Sequence, residues 1–384
     1  MLRDATSGGI LSQDQLQAHA ARIAPTHRLA ASSRRGRALL PELDGSAARL
    51  DEIYRFLSAA ARIDPQPVPS EDWLRDNHHV VQDQIREIRQ DLPRSYYRQL
   101  PKIAEGRDQG YPRVYVLARE LITHTAGRVD LDTLVEFAAA YQEAAELSIG
   151  EIWAIPIMMR LGLIEELRRL ADGVVSARRS RETARAWHAD VAKGARLSER
   201  RLARLLEEAR GKDSRLPGAF VVELLQWLRD QPSSAGPAWQ ALQDALVTQG
   251  DSPDEVLRFE HQREAADQLA IGNIITSMRV LSSIDWTLFF ERVSLVERVL
   301  REDPAQAYHR MDFATRDRYR HSVEQLARRA RLSETLVARK AIELAREAMA
   351  REPQRDRPHH VGYYLISRGR LTLEQEVRYR PRIR

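Results

Sequence analysis

The amino-acid sequence predicts an all-α fold, in which roughly a dozen or more helices form a bundle-like or irregular solenoid-like array. Apolar residues recur three and four positions apart through most of the 384 residues, as on one face of a helix. Ser, Thr or Asp often precedes such a stretch and Pro or Gly often follows it, as at helix ends. No stretch alternates between polar and apolar residues for long enough to predict a strand.

The first clear helical pattern is the segment SEDWLRDNHHVVQDQIREIRQDLP, residues 70–93. Ser70 is suited to cap its N-terminus, because its hydroxyl can accept a hydrogen bond from a free backbone N–H of the first turn. Trp73 and Ile85 lie on its apolar stripe, and Pro93 is expected to end it.

A second pattern, SIGEIWAIPIMMRLGLIEELRRLADG, covers residues 148–173. Ser148 and Glu151 have the spacing of a capping box, in which each side chain binds the backbone N–H of the other residue. An apolar stripe that includes Leu161 follows, and Gly173 is expected to end the helix.

Short loops rich in Pro, Gly and Asp separate the helical patterns. We interpret the chain as four parts. These are an N-terminal segment (1–26), an N-terminal helical body (27–211), a C-terminal helical body (212–350) and a basic tail (351–384).

The composition excludes several classes of chemistry. The absence of cysteine excludes disulfides, Cys-zinc sites, iron–sulfur clusters and thiol catalysis, and it is typical of a cytosolic protein. The most apolar window, IWAIPIMM at residues 152–159, is far shorter than the roughly 20 residues of a membrane span. The N-terminus, MLRDATSGGILSQDQ, lacks the apolar core of a secretory signal.

Charge is unevenly distributed along the chain. Its 60 basic and 55 acidic residues give a formal charge of +5, and acidic residues are interleaved with arginines almost everywhere, so no nucleic-acid partner is expected. The tail, however, contains nine arginines and four carboxylates, an excess that equals the charge of the whole chain. We expect the tail to face an anionic membrane surface. The arginines assigned to this role are Arg368, Arg370, Arg378, Arg380, Arg382 and Arg384.

Metal and cofactor sites are not expected from the motifs. The adjacent histidines at 78–79 and 359–360 would point about 100° apart on a helix, so neither pair has the i, i+4 spacing that grips a metal. Asp130 and Asp132 form the chain's only Asp-x-Asp, a pattern by which nucleotide-sugar transferases hold a divalent ion. Because a helical pattern follows directly, we interpret Asp130 as a helix cap.

Three segments, in this order, resemble a known family. They are 71–125 (EDWLRDNHHVVQDQIREIRQ…ITHT), 147–171 (LSIGEIWAIPIMMRLGLIEELRRLA) and 285–345 (DWTLFFERVSLVERVLREDPAQAYHRMDFATRDRYRH…), followed by HHVGYYLISRGR. Together they resemble the N-terminal region of the cyclic β-1,2-glucan synthases, very large bacterial inner-membrane enzymes.

The resemblance implies a cytoplasmic helical region, at the inner face of the inner membrane, that precedes membrane helices and a UDP-glucose-dependent glycosyltransferase domain. The sequence has no Q-x-x-R-W acceptor motif, so no catalytic residue of the family is carried over. We therefore interpret the chain as a noncatalytic module, without a cofactor, that has a structural, partner-packing or regulatory role and contacts the transferase and membrane part. The oligomeric state is not indicated.

Two alternatives remain open. One is an independent α-helical β-glucan hydrolase or transglycosylase, in which a carboxylate pair such as Asp312 and Asp317 carries the reaction. The other is nucleic-acid binding through arginine, which requires a basic face beyond the tail.

The densest cluster of charge is MDFATRDRYRH, residues 311–321. Thr315 is expected to cap a helix, and Tyr319 begins its apolar stripe, followed by Val323, Leu326 and Ala330. On the other side, Asp317 and Arg320 begin a ladder of i, i+3 and i, i+4 ion pairs. The remaining side chains form a candidate binding patch for a phosphate, a glucan or the partner domain, namely Tyr308, His309, Asp312, Arg316 and Arg318.

Overall fold

The computed structural model describes residues 9–30, 36–64, 68–192, 199–210, 215–229, 236–351, 354 and 357–379. Over these residues the chain forms eighteen α-helices and no strand, which confirms the all-α prediction. The helices are α1 Gln13–Ile23, α2 Leu39–Ile63, α3 Pro69–Asp76, α4 His78–Asp91, α5 Arg94–Gln99, α6 Arg113–His124, α7 Leu131–Gln142, α8 Ile149–Ala192, α9 Glu199–Ala209, α10 Gly218–Arg229, α11 Gly236–Thr248, α12 Pro253–Ser283, α13 Trp286–Val293, α14 Leu295–Leu300, α15 Phe313–Ala330, α16 Glu334–Arg351, α17 Val361–Ile366 and α18 Arg370–Glu376.

Helix α8 is the organising element. It is 44 residues long, and α2, α4, α6, α10, α12 and α13 pack against it. Its buried apolar side chains begin with Ile149 and continue beyond Gly173 to Val174, Val175, Ala184 and Trp187. The expected end at Gly173 is therefore wrong, because the apolar stripe continues past the glycine and neighbouring helices cover it.

The first helical pattern also differs from its prediction. Residues 70–93 form two helices, α3 and α4, which meet at Asn77. Ser70 lies inside α3 and is buried, and the N-cap position is Val68, with Pro69 in the first turn. Proline is favoured at the first helical position because its fixed φ angle suits the helix and its missing N–H would have no partner there.

The buried apolar residues form two clusters. The larger extends from Leu16 in α1 to Val377 beyond α18, and it includes residues from both predicted helical bodies. The smaller is built from the C-terminal part of α8 together with α9, α10 and α11. The division at residues 211 and 212 stays a prediction.

Two further observations bear on the site. Among the described helices, none is long and apolar enough to cross a membrane. One cleft lies where several helices begin or end, between α5, the N-terminus of α8 and the turn from α15 to α16.

Candidate functional site

A cleft of about 370 Å³ lies between α5, the start of α8 and the turn from α15 to α16. Each of the three segments that carry the family resemblance contributes to its walls, with Tyr96 from the first, Glu151 from the second and Glu334 from the third. Its walls are rich in carboxylates, namely those of Glu146, Glu151, Glu324 and Glu334. We call it the glutamate cleft.

Glu151 is fixed by two sets of hydrogen bonds. Its carboxylate accepts from the backbone N–H of Ser148 at 3.0 Å, while the Ser148 hydroxyl accepts from the Glu151 N–H at 3.3 Å. The predicted capping box is thus confirmed. The same carboxylate accepts two bonds from the Arg113 guanidinium, at 2.9 and 2.6 Å, and both side chains are almost fully buried. Because both carboxylate oxygens of Glu151 accept hydrogen bonds from Arg113, this side chain stabilises the fold and is not free to bind a ligand.

Glu334 is the unusual group of the cleft. It begins α16, yet its carboxylate accepts a hydrogen bond of 2.7 Å from the backbone N–H of Ile149, the first residue of α8. Burial raises its pKa from the ordinary value of 4.5 to about 7, although the Ile149 N–H acts in the opposite direction. The negative charges of Glu324 and Glu151 raise the pKa further. Glu334 therefore exchanges a proton near neutral pH.

The other cleft carboxylates have partners. Glu324 forms the ion pair with Arg328 that the ladder on α15 predicts, and it also lies 3.3 Å from His321, a pair that was not predicted. Glu146 accepts a hydrogen bond from the Thr335 hydroxyl. Among the residues that the structure describes, no cation forms an ion pair with Glu334. A neutral or polar ligand could therefore meet a carboxyl group there that both donates and accepts.

Comparison with known proteins identifies the relationship. No family profile matches the chain. The chain is 35% identical, over 337 residues, to the cyclic β-(1,2)-glucan synthase NdvB of Rhizobium meliloti (strain 1021). The chain is homologous to a segment of a cyclic β-(1,2)-glucan synthase. The match covers 86% of this chain but 12% of the relative, so the relative is far longer. The resemblance inferred from the three segments is confirmed.

In this chain, two members of the predicted binding patch are largely shielded from solvent. Tyr308 is fully buried and its hydroxyl donates to Glu297 at 2.6 Å, and burial raises the pKa of this phenol. Arg316 forms ion pairs with Glu291 at 2.6 Å and with Glu297 at 2.9 Å. Both side chains therefore stabilise the junction between α14 and α15.

The other three patch residues, His309, Asp312 and Arg318, are exposed. Asp312 caps α15, because its carboxylate accepts from the Thr315 N–H at 2.7 Å, so the prediction of Thr315 as the cap is wrong. An aspartate three residues before a free N–H competes well for this role, since the helix N-terminus favours an anion. The patch stays a prediction as a binding surface.

Sequence reasoning misplaced Arg320. The predicted ladder put it on the exposed side of α15, but its side chain is fully buried and donates to Glu297 at 2.8 Å. Its guanidinium also lies over the rings of Phe290 and Phe313, at 4.8 and 4.4 Å. The partial signal in the sequence was its position beside Tyr319, at the edge of the buried stripe.

The described part of the basic tail is folded onto the body of the protein. Arg370 forms an ion pair with Glu374 at 2.9 Å, while Arg368 and Arg378 are exposed. Arg380, Arg382 and Arg384 lie outside the described residues. The tail as a membrane-facing surface stays a prediction.

Proposed function

We propose that the chain acts as a noncatalytic helical module of a cyclic β-(1,2)-glucan synthase system and packs against its membrane and glycosyltransferase part. The 35% identity over 86% of the chain carries this proposal. The convergence of the three family-like segments on the glutamate cleft supports it, because it gathers the most recognisable parts of the sequence around one surface feature.

A noncatalytic role agrees with how the acidic side chains are used. Glu151 is bound by Arg113, and Glu146 by Thr335. Asp312 and Asp317, the carboxylate pair of the enzymatic alternative, serve as the cap of α15 and as a partner of Arg320. A reaction centre needs carboxylates that are free to exchange protons or attack the substrate.

The location that we propose is the cytoplasmic face of the inner membrane. The basic tail supports it, since each arginine near an anionic leaflet contributes about 1 kcal/mol to binding. The exposed Arg368 and Arg378 are available for such contacts. The isolated chain should then bind vesicles that contain anionic lipid, less tightly as the salt concentration rises, and it should not bind neutral vesicles.

The proposal is tested by two assays on the purified chain. Incubated alone with UDP-glucose and β-1,2-glucan, it should transfer and hydrolyse no glucose. Mixed with membranes that contain the glycosyltransferase part, it should sediment with them more than with membranes that lack that part. Sustained turnover by the chain alone, or equal sedimentation with both membranes, would contradict the proposal.

One observation favours the enzymatic alternative. A carboxyl group with a pKa of about 7, as in Glu334, is suited to act as the general acid of a glycoside hydrolase. If the cleft cleaves β-glucan, Glu334→Gln should abolish cleavage and leave the fold intact, because glutamine still accepts from the Ile149 N–H. Detection of cleavage by the wild type and its loss in this variant would replace our proposal with the enzymatic one.

A further inference from the structure

A second cluster of reactive side chains lies away from the glutamate cleft, between α1 and α6. His19 comes from α1, and Glu120 and His124 lie one turn apart on α6. The Nε2 atoms of both histidines approach the same oxygen of Glu120, at 2.7 Å for His19 and 3.6 Å for His124. The two imidazole rings are 4.4 Å apart, edge to face. One nitrogen or oxygen from each residue lies within 4.8 Å of the others.

The hydrogen bonds within the cluster do not account for His124. Its Nδ1 is shielded from solvent and has no hydrogen-bond partner among the described residues, and its Nε2 is too far from Glu120 for a hydrogen bond. The side chain is 17% exposed, and its Nε2, the nitrogen nearest Glu120, has no hydrogen-bond partner among the described residues, so this atom can offer a lone pair to a ligand.

We propose that His19, Glu120 and His124 form a binding site for a divalent transition-metal ion, with Zn²⁺ as the best match. Two imidazole nitrogens and one carboxylate are a known ligand set for zinc, whose fourth position is then taken by water. In a tetrahedral site with bonds of about 2.0–2.2 Å, ligand atoms lie roughly 3.3 Å apart. The 2.7 and 3.6 Å separations lie on either side of this value and the two imidazole nitrogens lie within 4.8 Å of each other, so side-chain movements have to draw the three ligands into place.

The burial of the three ligands suits an ion that enters from one side. The side chain of His19 is 9% exposed and that of His124 is 17% exposed, whereas Glu120 is 34% exposed. The carboxylate can therefore receive the ion from solvent, while the two imidazoles hold it from the protein side. Bound there, the ion would join α1 to α6 through side chains that are about 100 positions apart in the sequence.

Arg22 opposes metal binding in the ion-free state. Its guanidinium donates to Nδ1 of His19 at 2.6 Å, so the ring carries its proton on Nε2 and donates it to Glu120. To bind an ion through Nε2, the ring must carry its proton on Nδ1 instead, where it can no longer accept from Arg22. Arg22 is exposed and can turn to solvent, and the proton formally moves from Nε2 to Nδ1.

The sequence held a signal for this site. Glu120 and His124 have the i, i+4 spacing that places two ligands on one helix face. The adjacent histidine pairs at 78–79 and 359–360 lack this spacing, and nothing in the sequence places His19 against α6.

The test uses the full chain, stripped of metal with a chelator and titrated with Zn²⁺ in a calorimeter. We expect one ion per chain and a melting temperature that rises with Zn²⁺ concentration, because the ion binds the folded state. His124→Ala and Glu120→Gln should each weaken binding at least tenfold. Arg22→Gln should tighten it severalfold, since it removes the competing donor. His78→Ala, which alters a histidine beside Asp51 elsewhere, is the matched control and should leave binding unchanged.

The visible absorption spectrum of bound cobalt(II) tests the same site without any variant. In the unaltered chain, we expect the intense visible absorption of a four-coordinate ion, displaced by one equivalent of Zn²⁺. The proposal is overturned by a spectrum that matches the free hydrated ion, by unsaturable Zn²⁺ binding, or by equal Zn²⁺ affinity in the wild type and a folded Glu120→Gln variant.

Discussion

Buried guanidinium groups hold together distant parts of this chain. Four arginines are almost fully buried among the described residues, and three of them each lie against a carboxylate that is itself shielded from solvent. The pairs are Arg113 with Glu151, Arg178 with Glu71, and Arg320 with Glu297. A buried charge persists only when it is paired and hydrogen-bonded, so the partners depend on each other.

Sequence reasoning could not identify these pairs. The period of a helix predicts which face is buried, and it assigned Arg320 to the exposed ladder because arginine is rarely buried. Glu297, its partner, lies 23 positions away in another helix. Pairing across that distance depends on how α14 and α15 pack, which no local pattern encodes.

The first prediction concerns this pair. Burial alone would raise the pKa of Glu297, but hydrogen bonds from Tyr308 and Arg320 outweigh it and lower the pKa. Arg320→Ala removes the fully buried guanidinium that pairs with Glu297, while Tyr308 and Arg316 still contact the carboxylate, so it should lower the free energy of unfolding by about 3 kcal/mol. Urea unfolding measures this change.

Asp317→Asn, which removes the half-exposed partner of Arg320, is the control and should lower the free energy of unfolding by less than about 1 kcal/mol. Equal costs would contradict the account.

The second prediction concerns Glu334 and pH. Its pKa is about 7 in the folded state and 4.5 ordinarily, so the folded chain binds more protons than the unfolded chain between these values. The contribution of Glu334 to the free energy of unfolding is therefore fully present below about pH 4.5 and is lost as the pH rises towards 7.

Glu334→Gln removes this loss. Between pH 5 and pH 8, the wild type should lose about 2 kcal/mol of stability relative to the variant. Urea unfolding of both proteins across that range measures their free energies of unfolding. The other titrating groups are the same in both proteins, so their contributions cancel in the difference. Parallel pH profiles would show that Glu334 titrates normally.

At the scale of elements, local signals identified some helix starts correctly, but Ser70 and Thr315 are not the caps that these signals predicted. The capping box of Ser148 and Glu151 and the cap at Asp130 are confirmed, because side-chain caps depend on neighbouring residues. Gly173 did not end α8, and residues 70–93 were divided into two helices. Where a helix ends or breaks is decided by the surfaces that cover it.

The third prediction separates capping from surface charge at the Asp-x-Asp motif. Asp130 accepts from the Thr133 N–H at 2.9 Å, whereas Asp132 pairs with Arg292 at 2.8 Å on an exposed surface. Asp130→Ala should lower the free energy of unfolding by about 1 kcal/mol, and Asp130→Asn, which keeps a capping oxygen, by much less. Asp132→Asn should have an effect below about 0.5 kcal/mol. A larger loss from Asp132→Asn would indicate that this carboxylate has another role.

At the scale of the whole molecule, the two buried clusters predict unequal local stability. The smaller one contains few apolar side chains and covers α9 to α11, whereas the larger extends from α1 to α18. Regions with fewer buried contacts open at lower free energy. In hydrogen–deuterium exchange followed by mass spectrometry, amides of α11 should therefore exchange before those of α6. The reverse order would mean that the two clusters unfold as one.

The fold class was predictable because helical periodicity is repeated many times along the chain, so errors at single ends do not alter it. The glutamate cleft was not, since its walls combine residues from Leu29 to Thr335. The family resemblance selected the same three segments without indicating that they meet. Residue types and spacing alone did not distinguish Glu334 from the other 54 acidic residues.

We propose that this chain serves glucan synthesis without catalysing it. The most direct measurement is the rate at which glucose from UDP-glucose enters β-1,2-glucan in membranes from cells that lack the corresponding segment. We predict no incorporation by the purified chain alone, and a higher rate when the chain is added to those membranes. Incorporation by the chain alone, or a rate in the membranes that the added chain does not change, would contradict the account.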